Sequence, residues 1–516
     1  MLYIYAQVPS FPPQNISRSE QNPNEHKWGR SIIPPPIQSA IPKSAVAWDS
    51  LRPVSDSFLM ELPTVPLIIH LCFSSSADAG IEANDCITIY IVSSAEDVDS
   101  PNSFCLEPID LNQFFEDDGR IFGYQGLKIT IWVSLISFHA YADISFESSS
   151  DGGRGITNVK YALQNIFAES LVDEKDAFLQ TFSTESHYVR SVVSNAETLQ
   201  HKVSNGCSTE SNCLLKSEPS DVEVFRIAGT PVGHLYSRLV PLVLLLVDGS
   251  NPIDVLDPRW EIYLLVQERK DTQEDSLSRL LGFAAVYRFH RYPGSTRMRL
   301  GQILVMPPYQ RKGYGRFLLE VLNGVAVSEN VYDLTIEEPE DSLQYVRLCI
   351  DVERLLVFDP IQQSLESVIS HLKQENSLKK SYMCKYAPPL SAVEDVRKTL
   401  KINKKQFEQC WEILIYLGLA PINKYMEIYQ AIVSHRVKAE VVGKDSEGAG
   451  KQVIDVPTEY DQQMSFVMFK SQNGESSSIE TADNQSIVEE QLQKLVDKRM
   501  NQIKLIAEKV SAVHRQ

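Results

Sequence analysis

The chain has 516 residues, a net charge of -18 and a sequence pI near 5.1, which is room for roughly three domains of ordinary size. So acidic a balance argues against direct nucleic-acid binding and makes a basic partner or substrate the natural complement. The eight cysteines, at 72, 86, 105, 207, 213, 349, 384 and 410, form no C-x-x-C pair, and the chain has no H-E-x-x-H, so no metal is expected.

In chain order, residues 1–78 are rich in Pro, Ser and Asn, with Pro34-Pro35-Pro36 in the middle, and read as a disordered extension. They open without a basic segment leading into a long apolar one, so no secretory signal is expected. The longest apolar runs, Pro66–Phe73 and Leu239–Val247, reach about half of the roughly 20 residues a membrane helix requires. They point to buried strands or short helices, and no membrane association is expected. Residues 79–193 carry strand patterns at Cys86–Val92 and Leu127–Val133 and predict an N-terminal α+β domain. Residues 194–222, polar and without periodicity, read as a linker or surface insertion.

Residues 223–357 hold the most informative stretch. Met298–Met306 is aliphatic and β-branched and is stopped by Pro307-Pro308, which predicts a strand with a hard end. Gln310, Gly313 and Gly315 lead into Phe317–Ala326, whose apolar positions 317, 318, 321, 322 and 325 share one helix face. The glycines therefore sit at a helix N-terminus, where unpaired N–H groups and the macrodipole favour an anion. Val331–Pro339 then places Glu337 and Glu338 at the end of a second strand, the position at which α/β sheets hold ligands. Such a pair is either a set of solvated strand-end charges or a base. Burial beside Ile336 and a second carboxylate would suit the latter.

Residues 358–516 turn helical, with a polar loop near 443–484. A closing apolar stripe runs through Val488, Leu492, Leu495, Ile503, Ile506, Val510 and Val513 and is interrupted by Arg499. It reads as intramolecular packing rather than a partner surface. No repeat of 20 to 50 residues is visible, which argues against a solenoid or propeller.

The loop at 310–315 resembles the Gln/Arg-x-x-Gly-x-Gly/Ala loop of the GCN5-related N-acetyltransferases, which wraps the pyrophosphate of acetyl-CoA. More widely, residues 81–513 resemble the catalytic subunits of type B histone acetyltransferases in a plant-like form. Phe122–Lys128, Asp254–Trp260, Ile303–Gly315, Thr335–Pro339 and Leu400–Gln406 carry the match in the family's order. The resemblance implies an α/β (α+β) chain: an N-terminal mixed α+β domain, a central acetyltransferase domain with a mixed sheet, and a helical C-terminal domain. It implies a nuclear and cytoplasmic lysine N-acetyltransferase that acts on the tail of newly made histone H4 beside a WD-repeat histone-binding subunit.

Residue by residue, the resemblance puts acetyl-CoA on Ile303, Leu304 and Val305 and on the loop Gln310, Arg311, Lys312, Gly313, Tyr314, Gly315 and Arg316. Arg311 stands where the family usually has glycine. The general base falls on Glu337 and auxiliary acids on Glu338 and Asp248, although Asp248 precedes Gly249-Ser-Asn-Pro252 and suits a turn equally. Substrate contacts fall on Asp117, Asp118 and Gly119 and on Tyr287, Arg288 and Phe289, where acidic and aromatic groups would meet a basic tail. Tyr345 is a candidate to protonate the departing thiolate. Cys349 would permit an acyl-cysteine route, but its surroundings in sequence do not suggest an activated thiolate. Another amine as substrate, or a histone-binding scaffold of weak activity, are the alternative readings.

Overall fold

The computed structural model describes residues 80–115, 119–151, 153–202, 221–269, 277–374, 386–419, 423–442 and 482–514. The expected extension 1–78 and most of the polar loop 443–484 lie outside them. The N-terminal region folds around a five-stranded sheet built from β1 (Ile87–Val92), β2 (Phe104–Leu106), β3 (Lys128–Ser134), β4 (Ala140–Ser145) and β5 (Leu171–Val172), in the order β2-β1-β3-β4-β5. Its longer helices are α1 (Val159–Phe167), α2 (Lys175–Thr184) and α3 (Tyr188–Val193).

The central sheet has six strands: β6 (Glu197–Lys202), β7 (Asp221–Ala228), β8 (Trp260–Arg269), β9 (Leu277–Arg291), β10 (Ser295–Val305) and β11 (Leu334–Ile336). They lie in chain order, antiparallel throughout except for the parallel pair β10 and β11. Residues 197–202, expected as linker, are thus an edge strand; polar side chains hid it, since an edge needs only one apolar face. The run Leu239–Val247 ends α4 (Thr230–Leu246), an amphipathic helix with Pro231 in its first turn, where a missing N–H costs nothing.

Two cores enclose the sheet. On one face, Ile262, Leu264, Phe283 and Leu304 join Leu235, Leu239 and Val243 of α4 and the interior of the N-terminal region in one cluster. On the other, Tyr263, Ala284, Val286, Met298 and Leu300 pack against Leu318, Leu322 and Ala326 of α5 (Tyr314–Ser328). Even-numbered residues of β10 change sides along its length: Met298 and Leu300 face α5, whereas Leu304 faces α4. The switch has a local cause. Ala285 opposes Gln302 but Val286 opposes Leu300, so Gly301 is the extra residue of a β-bulge.

The C-terminal layer comprises α6 (Asp341–Leu356), α7 (Asp359–Gln374), α8 (Leu390–Leu400), α9 (Lys404–Leu419), α10 (Asn423–Val442) and α11 (Ala482–His514). The stripe on α11 keeps its expected register at Ile503, Ile506 and Val510 and departs from it earlier in the helix. Val496, Met500, Ile503, Ile506 and Val510 are buried, while Leu495 is 44% exposed. Arg499, the interruption in that stripe, meets the buried Glu412 of α9 with Nε and Nη2 at 3.0 and 2.9 Å, and Arg436 of α10 reaches the same carboxylate at 3.1 Å. One glutamate therefore ties three helices. Replacing it leaves Arg499 without its anion and Arg436 with only the 3.8 Å ion pair to Glu408, so Glu412→Gln is expected to lower stability by about 2–4 kcal/mol. Urea unfolding of the full chain measures this, and an unchanged midpoint would show that the network contributes nothing.

Candidate active site

The pairing of β10 with β11 covers Met298–Leu300 against Leu334–Ile336 and ends there, with one further bond from Glu337 N to Leu300 O at 2.9 Å. Beyond that point β10 continues through Ile303, Leu304 and Val305 with β9 as its sole strand partner among the described residues. Its outer backbone edge pairs with no strand among the described residues. Ile303 and Val305 are half-buried and Leu304 is buried, and Gln310 Nε2 donates to Val305 O at 3.0 Å. An extended chain bearing amides can lie along such an edge.

At the far end of β10 the loop turns into α5. Gly313 takes φ +86° and no side chain caps the helix behind it, so its first N–H groups face outward without an internal acceptor. Gln310, Arg311, Lys312 and Gly313 are exposed, and Tyr314, Gly315 and Arg316 are half-buried. Arg311 adopts φ +62°, so the backbone keeps the left-handed path a glycine would take, at a cost of roughly 1–2 kcal/mol. Lys312 Nζ donates back to Pro308 O at 3.1 Å. Arg316 departs from its expected role: its guanidinium is held by Glu320 at 2.8 Å and Glu353 at 2.5 Å, which leaves its backbone rather than its charge to an anion.

Glu337 stands where the two strands part. Its side chain is 52% exposed and lies 3.6 Å from Arg299 Nη1, so the apolar burial expected beside Ile336 is absent. A Cβ at Gly301 would fall 3.0 Å from Trp260 Cη2 and 3.7 Å from Glu337 Oε2; the bulge glycine makes the space in which indole and carboxylate meet. Trp260 contacts Tyr287 at 5.0 Å between ring centroids, and Tyr287 contacts Phe289 at 4.5 Å. Tyr287 Oη donates to Asp257 Oδ2 at 2.9 Å, and the Arg259 side chain holds that carboxyl well below the usual carboxylate range. Arg299 lies over Phe289 at 4.4 Å.

Other expected residues fare differently. Arg288 alternates to the opposite face from Tyr287 and Phe289 and is paired with Glu261 at 2.8 Å and Glu329 at 2.6 Å. Asp117 and Asp118 lie outside the described residues. Gly119 is buried with φ +80°, and a Cβ there would meet Asn112 at 2.2 Å, so it is a packing glycine and cannot carry an acid. Asp248 is exposed in the turn after α4, which is tied to β10 by Gln302 Nε2 donating to Asn251 O at 2.7 Å. Glu338, at φ +33°, lines a neighbouring cavity. Tyr345 is engaged with the Cys349 thiol, and burial pushes that thiol up to about 11, so Cys349 is protonated at neutral pH. Sequence reasoning passed over Trp260, Arg299 and Gly301 as site residues. A lone glycine inside a strand pattern was the one available signal, since it marks a bulge or a close approach.

The sequence is similar to those of known proteins. A family model described as "Histone acetyl transferase HAT1 N-terminus" matches residues 79–248, and one described as "Acetyltransferase (GNAT) family" matches residues 254–345. The histone acetyltransferase type B catalytic subunit of Arabidopsis thaliana is 53% identical over 85% of this chain and 93% of its own length. That of Zea mays is 45% identical over 85% and 92%, and one from Dictyostelium discoideum is 27% identical over 72% and 74%. The chain belongs to the family of type B histone acetyltransferase catalytic subunits, enzymes of the acetyl-CoA-using GNAT group.

Proposed function

We propose that the enzyme acetylates lysine side chains in the N-terminal tail of newly made histone H4, by direct attack in a ternary complex with Glu337 as general base. The observation that carries this reading is the meeting of the Glu337 carboxylate, Trp260 and Gly301 at the point where β10 and β11 part. The residues present suit acetyl-CoA. The open edge at Ile303–Val305 offers backbone groups to the pantetheine arm, and the uncapped N–H groups behind Gly313 offer donors to the pyrophosphate. Acetyl-CoA, when bound, supplies the activated acyl group.

The protein must then make a lysine nucleophilic. With a pKa of ~10.4, about one lysine in 2,500 is neutral at pH 7, a deficit of ~4.6 kcal/mol. Glu337 accepts the ammonium proton, the neutral amine nitrogen then bonds to the acyl carbon, and as the C–S bond breaks the second amine proton leaves with the thiolate as CoA-SH. Arg299, 3.6 Å away, orients the carboxylate. Trp260, Tyr287 and Phe289 form the wall along which the lysine's methylene stem passes, since aromatic faces accept an aliphatic chain that carries a cation. Asp257 and the Asp117-Asp118 pair supply charge for a Lys/Arg-rich tail, with Glu338 and Asp248 as auxiliary acids. A WD-repeat histone-binding subunit as partner, and a site of action in nucleus and cytoplasm, complete the proposal.

Glu337→Gln keeps the shape of the side chain but removes the base, so kcat is expected to fall roughly 10²- to 10⁴-fold while acetyl-CoA affinity is retained. Steady-state rates with an H4 tail peptide test this; a wild-type rate at pH 7 would transfer the role to Glu338 or Asp248. Gly313→Asp places a Cβ at φ +86° and a negative charge before the helix, and is expected to weaken acetyl-CoA binding by tenfold or so in calorimetry. Unchanged affinity in a folded variant would make the turn merely structural. Asp117→Asn with Asp118→Asn is expected to raise KM for the H4 peptide about 2- to 30-fold at low salt and less at high salt. Equal KM values for variant and parent would move tail recognition to the Tyr287 and Phe289 edge.

A further inference from the structure

β11 is the last strand of the central sheet and has only three residues, yet Glu337 follows it directly. The carboxylate has little to hold it: its side chain is 52% exposed, and its ion pair with Arg299 is long, at 3.6 Å. Its place is therefore set by the backbone of β11. On the inner side that backbone is bonded to β10, from Met298 N donating to Asp333 O at 3.0 Å as far as Glu337 N donating to Leu300 O at 2.9 Å. On the outer side Leu334 is buried, and both of its outward backbone groups are taken by the C-terminal layer, as a buried edge requires. Leu334 N donates to Lys401 O at 2.9 Å, in the turn between α8 and α9, where Ile402 forms a single parallel bridge to Leu334. Leu334 O accepts from Arg347 Nη2 of α6 at 3.0 Å.

Arg347 lies 13 positions beyond Leu334, so its bond closes the segment that carries Glu337 into a loop. Within that loop Glu338 sits at φ +33°, a conformation that a non-glycine residue keeps only where its surroundings over-determine it. The clasp is itself anchored. Arg347 Nε is 3.7 Å from Asp351, one turn along α6, and the two side chains are 11% and 3% exposed. Asp351 also accepts from Arg354 Nη1 at 3.2 Å and from Gln406 Nε2 of α9 at 2.9 Å. Arg354 Nη2 donates to Leu400 O at 2.7 Å, next to the Lys401 carbonyl that Leu334 uses. Arg397 of α8 adds a further bond, from Nη1 to Tyr332 O at 3.0 Å. Buried networks whose members are satisfied rigidify what they join, so the helical layer fixes this strand rather than merely covering it.

We propose that Arg347, braced by Asp351, is a positioning residue for acyl transfer: it holds β11 from outside the sheet and so keeps Glu337 in line with the reacting amine. The proposal rests on Glu337 as the general base, and a double-mutant cycle on the full chain, with an H4 tail peptide as substrate, separates the two. Arg347→Met is expected to lower kcat about tenfold, since a misplacement on the order of 1 Å in a reacting geometry costs about 100-fold. KM for acetyl-CoA should stay within about twofold of the parent. Arg347→Lys, which keeps the charge and a donor, should recover part of the loss. Added to Glu337→Gln, Arg347→Met should cause no further fall, because it acts through the group already removed. Glu412→Gln loosens the same helical layer away from β11 and should keep the parent kcat. Arg397→Gln removes the bond to Tyr332 O from a half-buried position; it is expected to lower kcat about threefold and takes the place of Arg347→Met if that variant does not fold. A parent kcat in the variant used, a rise in KM for acetyl-CoA in place of the kcat loss, an undiminished fall on top of Glu337→Gln, or the same loss in Glu412→Gln would each overturn the proposal while leaving Glu337 as the base. A parent rate in Glu337→Gln alone would remove the base, and the positioning role with it.

Discussion

The bulge at Gly301 is the constraint on which the site depends. One extra residue in β10 exchanges its two faces, so that Leu300 packs under α5 while Leu304 packs toward α4. It also bends the strand where the short β11 ends. With no Cβ, the same residue leaves the gap occupied by Trp260 and Glu337. The parting of the strands, the open backbone edge and the position of the carboxylate therefore share one local cause. A side chain at 301 would have to displace an indole that is itself held by Tyr287.

Around this point, charge is distributed by face. On the α5 side, Arg226 and Arg288 are each paired with two of Glu197, Glu261 and Glu329, a ladder across the strands in which both cations are matched and which holds the end of α5. On the other side aromatic rings carry arginines, Arg299 over Phe289 among them, and Arg299 Nε is buried without an acceptor among the described residues. Desolvated donors are costly unless partnered, so the buried Arg299 Nε beside Glu337 is informative where the matched pairs are not.

The central architecture was legible because its signals are local. A strand with a proline stop, glycines before an apolar helix face, and paired glutamates at a strand end each depend on a few adjacent residues. The edge strand at 197–202 was missed because it is polar on most positions and acquires its order from β7. Arg288 was assigned to the wrong face because its neighbours Tyr287 and Phe289 were read with it as one patch, although strand alternation separates them. Arg299 and Trp260 come together from strands far apart in sequence, and no spacing rule announces such a meeting. Arg499 looked like a fault in an apolar stripe; its partner Glu412 lies 87 residues away, beyond the reach of any periodicity.

The open stretch of β10 carries a risk that the bulge also limits. A bare strand edge displays N–H and C=O groups that another chain could pair with, and long flat edges of this kind lead to aggregation. Here the gap runs only from Leu300, bonded by Glu337 N, to Val305, whose carbonyl is taken by Gln310. It is interrupted at its start by a residue whose geometry breaks the regular ladder. A stray strand would find too few consecutive groups in register to dock, whereas a ligand chain with two amides needs no more than that. A bend that leaves room for a small extended ligand is thus also a discrimination against polypeptide.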